Sequence, residues 1–163
     1  MLIIDTFSKL AMIYNDQEKY NMAVLLETHV LAKKQMIYGH VHFFVANSLT
    51  LLGQFRYKQN KFDISFDLFR KAFLIYNQFF GANSYPVMCS MMDIANVLNN
   101  RKEFDASENI YRRCLTYIPM YTGENHARFS CVLVNLANVL VLKSEFDEAE
   151  NMYKRALVID RKV

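Results

Sequence analysis

The sequence predicts an all-α solenoid of about four helical hairpins, and three observations predict it. The chain repeats itself: EFDASENIYRRCL at Glu103–Leu115 returns as EFDEAENMYKRAL at Glu145–Leu157, with eight of thirteen positions identical. Apolar residues within each unit recur at helical spacing. Four Gly and two Pro in 163 residues are too few for the many turns of an all-β fold.

The same offset holds along the chain without a gap, which is the signature of stacked supersecondary units. Glycines fall at Gly39, Gly81 and Gly123. Aromatics fall at Tyr20, Phe62, Phe104 and Phe146. Two sets of small residues recur: Ala11, Gly53, Ala95 and Ala137, then Ala23, Ser65, Ser107 and Ala149. The units are approximately 1–42, 43–84, 85–126 and 127–163, in one solenoid. The chain begins inside a first helical pattern and ends inside a second, so a longer repeat array is expected.

Each unit reads as two helices. The first, such as Arg128–Lys143, is broadly apolar. The second, such as Asp147–Arg161, is charged on one face and carries Met152, Tyr153, Ala156 and Leu157 on the other. The small residues are expected where the two helices cross, because a larger side chain there would push them apart. Phe146 is expected to plug the hairpin turn. Gly39, Gly81 and Gly123 are expected in left-handed conformation at the end of each second helix. Asn83 or Ser84 is a candidate cap ahead of Pro86. Pro119 should end or kink its helix.

These features resemble the tetratricopeptide repeat, whose usual period is about 34 residues. The small–aromatic–small series Ala137, Phe146, Ala149, Tyr153 and Ala156 carries the likeness. GENHA at Gly123–Ala127, LVNLA at Leu133–Ala137 and the longer, 42-residue period are similar to the kinesin light chain and nephrocystin-like type. The resemblance implies a right-handed αα superhelix whose first helices line a concave face. Read by register, a peptide-binding groove would then hold Asn47, Thr50, Gln54, Tyr57, Met92, Asp93, Asn96, Asn99, Asn135 and Asn138. Asparagine both donates and accepts, which suits the backbone of an extended peptide. The other reading of these amides is structural: bridging neighbouring repeats without touching a ligand.

Composition narrows the function classes. Hydrophobic residues make up 53% and charged residues 21%, and the net charge is +3. Basic and acidic residues interleave, so no nucleic-acid stripe is present. The most apolar run, CVLVNLANVLVL, spans only Cys131–Leu142 and is too short to cross a membrane. The opening MLIIDTFSKLAMIY lacks the basic leader of a signal peptide. Three cysteines with no CxxC read as reduced thiols, Cys114 on a core position. His40 and His42 lack a third ligand at useful spacing, so no metal is expected, and no cofactor. His42 and His126 occupy a turn and are assigned a structural role. No nucleophile, acid–base pair or phosphate loop is found, so the chain is read as no enzyme. The expected function is a protein-interaction scaffold or adaptor that takes a peptide segment of a partner, cytoplasmic, without nucleic acid or membrane insertion. Self-association through uncapped ends, and a structural role in a cytoskeletal or ciliary assembly contacted through the convex face, are the alternatives.

Overall fold

The computed structural model describes residues 2–122 and 127–161. Eight helices and no strand are found among them: α1 (Leu2–Asp16), α2 (Tyr20–Tyr38), α3 (Phe43–Lys58), α4 (Phe62–Phe80), α5 (Tyr85–Asn100), α6 (Phe104–Thr122), α7 (Ala127–Leu142) and α8 (Phe146–Asp160). From α2 onward, each helix begins at the repeat equivalent of the one two before or after it. The helices fall into two compact units that divide between Ser90 and Met91, inside α5.

Every odd-to-even helix connection is the same short turn. Glu18, Asn60, Lys102 and Ser144 all have positive φ, between 58° and 65°. The N–H of Ser144 bonds to the carbonyl of Val141, and that of Glu145 to Leu140, at 2.9 and 2.8 Å. The equivalent pair of bonds recurs at residues 18–19, 60–61 and 102–103. This is a Schellman closure, which satisfies carbonyls left open at a helix end. No glycine occupies any of the four positions, so each carries the steric cost of a left-handed side chain.

The even-to-odd turns do use glycine. Gly39 and Gly81 have φ of 78° and 83° but ψ of 176° and 161°. The positive φ matches the expectation, whereas the extended ψ is not the left-handed helical conformation. It belongs to a region that essentially only glycine enters. His42 then caps α3: its Nδ1 accepts from the Phe44 N–H at 3.2 Å. Its imidazole stacks on Tyr38 with centroids 4.8 Å apart and meets Phe79 edge-on. The turn histidine is therefore a capping and packing residue. Ser84 makes no such cap, because its buried Oγ has no hydrogen-bond partner. Helix α6 runs on to Thr122, so Pro119 does not end it. Gly123 and His126 lie outside the described residues.

In unit one, Ala11, Ala23, Val24, Leu52 and Phe55 form a buried cluster joining α1, α2 and α3. The small positions are where α1 meets α2 and α3 meets α4: Ala11, Ala23 and Ser65 are fully buried. Ser65 Oγ donates to the Gly53 carbonyl at 2.8 Å, across the crossing. Unit two repeats the bond, with Ser107 Oγ donating to the Ala95 carbonyl at 2.8 Å. The hydroxyl is thus satisfied without widening the crossing. Gly53 is a tight crossing, since a Cβ there would lie 2.6 Å from Phe69 Cε1. Phe146 departs from expectation. It is 62% exposed and does not plug its turn.

The α6–α7–α8 edge of unit two is tied by charge. Lys143 Nζ contacts Asp105, Glu108 and Glu145, and Arg112 bridges Glu108 and Glu148. Burial works against ionisation of Glu108, yet the bonds from Lys143 and Arg112 outweigh it and hold its carboxyl below the ordinary range. At the equivalent place in unit one the contact is neutral: Gln59 Nε2 donates to Asn21 at 2.8 Å.

Two sets of variants test these contacts in denaturant unfolding. Gly53→Ala gains helix propensity but drives a methyl into a ring that is 2% exposed, so it should destabilise by about 1–3 kcal/mol. Phe69→Leu in the same chain should return part of that loss, and independent additive effects would refute the steric account. Ser144→Gly should stabilise by about 0.5 kcal/mol, and Asn60→Gly by less, because Asn tolerates positive φ better. Loss of stability in Ser144→Gly would contradict the conformational argument.

Candidate functional site

The amides singled out from the sequence lie on odd-numbered helices, and the structure shows what holds them. In unit two, Asn96 Oδ1 accepts from Tyr111 OH at 2.6 Å. Asn138 Oδ1 likewise accepts from Tyr153 OH. Asn96 and Asn138 are repeat equivalents, and so are the two tyrosines. The ring of Tyr111 is 1% exposed, so its hydroxyl is a fixed donor at the edge of the core. Asn135 Nδ2 lies 3.5 Å from Asn96 Oδ1, which brings the amides of α5 and α7 together.

The remaining predicted residues of unit two sit around this pair. Asn99 Oδ1 is buried without a hydrogen-bond partner. Met92 is half-buried one helical turn from Asn96. Burial pushes the Asp93 carboxyl up to about 6, with the positive charge of Arg128 pulling the other way.

Unit one carries a different arrangement. Asn47 Oδ1 accepts from Tyr76 OH at 2.7 Å, and Thr50 Oγ1 lies 3.4 Å from the same hydroxyl. Thr50 also donates to the Ala46 carbonyl. Gln54 is exposed. Tyr57 packs edge-on against Phe62, 5.6 Å between centroids, and so braces the α3–α4 turn.

The sequence reading misses the tyrosine partners. A signal for them is present: Tyr111 follows Asn96, and Tyr153 follows Asn138, at one and the same spacing. Chemically, these bonds occupy the carbonyl ends of Asn47, Asn96 and Asn138. Among the described residues their amide nitrogens make no comparable bond. Each of these asparagines therefore offers fixed N–H donors. No cluster of three or more His, Cys, Asp or Glu that could hold a metal occurs among the described residues. Cys114 is fully buried, as its core position implied, whereas Cys131 is exposed. No described helix is long and apolar enough to cross a membrane.

Comparison with known proteins adds a family to this geometry. Two family models described as tetratricopeptide repeat match residues 86–162 and 3–43. Together they span well over half of the chain. No match to a curated protein sequence was found. Among solved structures, BtubC (BKLC) from P. vanneervenii is 18% identical, with TM-score 0.88 over 99% of this chain. The chain spans 64% of that protein. A putative kinesin light chain from Podosopora anserina, described by its nearly identical TPR-like repeats, is 15% identical with TM-score 0.84, covering 98% of this chain and 76% of its own. The apo form of RapI is 14% identical with TM-score 0.82, covering 98% of this chain and 43% of its own. At these identities the likeness is one of fold.

Asp93 supplies a pH prediction. Its folded value of about 6 stands above the ordinary 3.8, so the folded chain holds this proton more tightly. The stability it contributes is complete below about pH 4 and is lost as pH rises through about 6. Asp93→Asn should remove that slope. A carboxyl NMR titration with its inflection near the ordinary aspartate value would refute the assignment.

Proposed function

The chain belongs to the tetratricopeptide-repeat family, and from that premise we propose that it is a non-catalytic scaffold that grips a segment of a partner protein through its odd-helix amides. The family supports a protein-interaction role in general. The finer reading rests on the tyrosine–asparagine bonds, above all Asn96 with Tyr111 and Asn135.

An asparagine held at its carbonyl end loses rotamer freedom before any ligand arrives. Its N–H donors then meet a peptide carbonyl with less entropy left to surrender. The unit-two strip is Met92, Asp93, Asn96, Asn99, Asn135 and Asn138. Met92 adds an adaptable apolar contact. Asn47, Thr50, Gln54 and Tyr57 form a separate strip in unit one, where Gln54 is exposed and suited to the same backbone recognition. Both strips are short of cations, which disfavours an acidic peptide tail and favours uncharged extended chain. One array of four repeats, acting in the cytoplasm, is the setting in which we place this function.

The bonds also dictate the right variant. Asn→Ala would remove the acceptor of a buried tyrosine and disturb the core. Asn96→Asp with Asn138→Asp keeps the acceptors for Tyr111 and Tyr153 while removing the donors. Affinity capture from lysate, wild type beside the double variant, should show a shared partner lost or weakened about tenfold or more. The same partners captured equally by a folded double variant would overturn the amide reading.

A further inference from the structure

One repeat position is broken in a way that leaves a charged cavity. In the second hairpin, Tyr76 on α4 reaches Asn47 and Thr50 on α3. In the first hairpin the same three positions are Lys34, Asp5 and Ser8. The phenol ring is thus replaced by a thin alkyl stem, and the amide by a carboxylate. Lys34 and Asp5 do not pair. Lys34 Nζ turns instead to Ser48 Oγ on α3 at 2.9 Å. Ser8 Oγ is buried and makes no well-formed hydrogen bond.

Beside Lys34 and Asp5 lies a half-open cavity of about 60 Å³, lined by Ile4, Asp5, Lys34, Tyr38 and Phe44. At ~10–15 Å³ of such volume per water, it has room for about four to six heavy atoms. Lys34 is only 8% exposed and uses one of its three donors on Ser48. Asp5 is exposed at the rim. A cation on one side, an anion on the other and aromatic walls between them call for a ligand of both charges. The nearby acid Glu27 is fully buried. Burial raises its carboxyl above the ordinary range and outweighs the Ser48 and Ser8 hydroxyls and the Lys34 charge.

We propose that this cavity binds a small free α-amino acid. The carboxylate lies against Lys34 Nζ, and the ammonium lies between Asp5 and the faces of Tyr38 and Phe44. The ligand fills the volume that the Tyr76 ring fills in the next hairpin. This site is independent of the amide strips and does not rest on the partner-binding reading.

The test is NMR titration of the intact chain with glycine and alanine, following the Ser48 and Tyr38 amides and the Lys34 side chain. Saturable shifts are expected with both. Propionate, which matches glycine in heavy atoms but lacks the ammonium, and glycinamide, which lacks the carboxylate, should each bind at least tenfold more weakly. Lys34→Met should abolish the response. Because that variant changes a buried group, Ile4→Phe provides a second: it closes the cavity from the rim with Lys34 intact and should also abolish binding. Propionate binding as well as glycine would replace the zwitterion site by a plain carboxylate site and overturn the proposal. Non-saturating shifts, or equal shifts in both variants, would overturn it as well.

Discussion

The close crossing of two helices within each hairpin is the constraint on which everything else depends. Pairs of small residues set it: Ala11 with Ala23, Gly53 with Ser65, Ala95 with Ser107, Ala137 with Ala149. Their burial lets the backbones approach so that larger neighbours such as Phe55 and Leu136 interdigitate around them. Where one partner is serine, its hydroxyl bonds to the opposing carbonyl rather than going unpaired. Where Phe69 occupies the neighbouring position, only glycine fits opposite. The crossing also shapes the turns. Two helices this close are joined by a short link in which one residue takes positive φ, and the chain accepts that strain four times without glycine.

The same geometry carries order from core to surface. Tyr111 is anchored by burial, and its hydroxyl bonds to the terminal oxygen of the Asn96 side chain. A half-buried amide is thereby positioned by a core ring, and the half-buried Tyr153 bonds to Asn138 in the same way. Edge contacts follow the repeat too, but their chemistry drifts. The neutral bond of Gln59 to Asn21 becomes the ion-pair cluster of Lys143 with Asp105 and Glu108. Exposed pairs of this kind add little each, and the shared Lys143 and Arg112 make the cluster the more effective form.

Departures from the repeat are where individuality lies. Glu27 stands where later hairpins place Phe69, Tyr111 and Tyr153, and Lys34 stands where Tyr76 does. Both exchange an aromatic ring for an ionisable group in a place that remains buried. A buried charge without a close partner is costly. In unit one Lys34 lines a cavity, whereas at the position of Glu27 unit two holds Tyr111 and Tyr153, bonded to Asn96 and Asn138.

The sequence alone determined the number and spacing of the helices, because an unbroken repeat of apolar and small positions has one way to bury its faces. It marked Ala11, Ala95 and Ala137 as crossings and Cys114 as core for the same reason. It also picked out Asn96, Asn135 and Asn138, since register places them on the faces of odd helices. It left open whether those amides were bridges or binding groups, because that depends on which hydroxyls reach them from the neighbouring helix. Tertiary structure decided that the carbonyl ends of Asn96 and Asn138 are held by Tyr111 and Tyr153, and that Phe146 faces solvent rather than its turn. It decided too that Lys34 turns to Ser48 rather than to Asp5. Periodicity fixes which face a residue occupies, but only packing against the neighbouring helix fixes where its polar end goes.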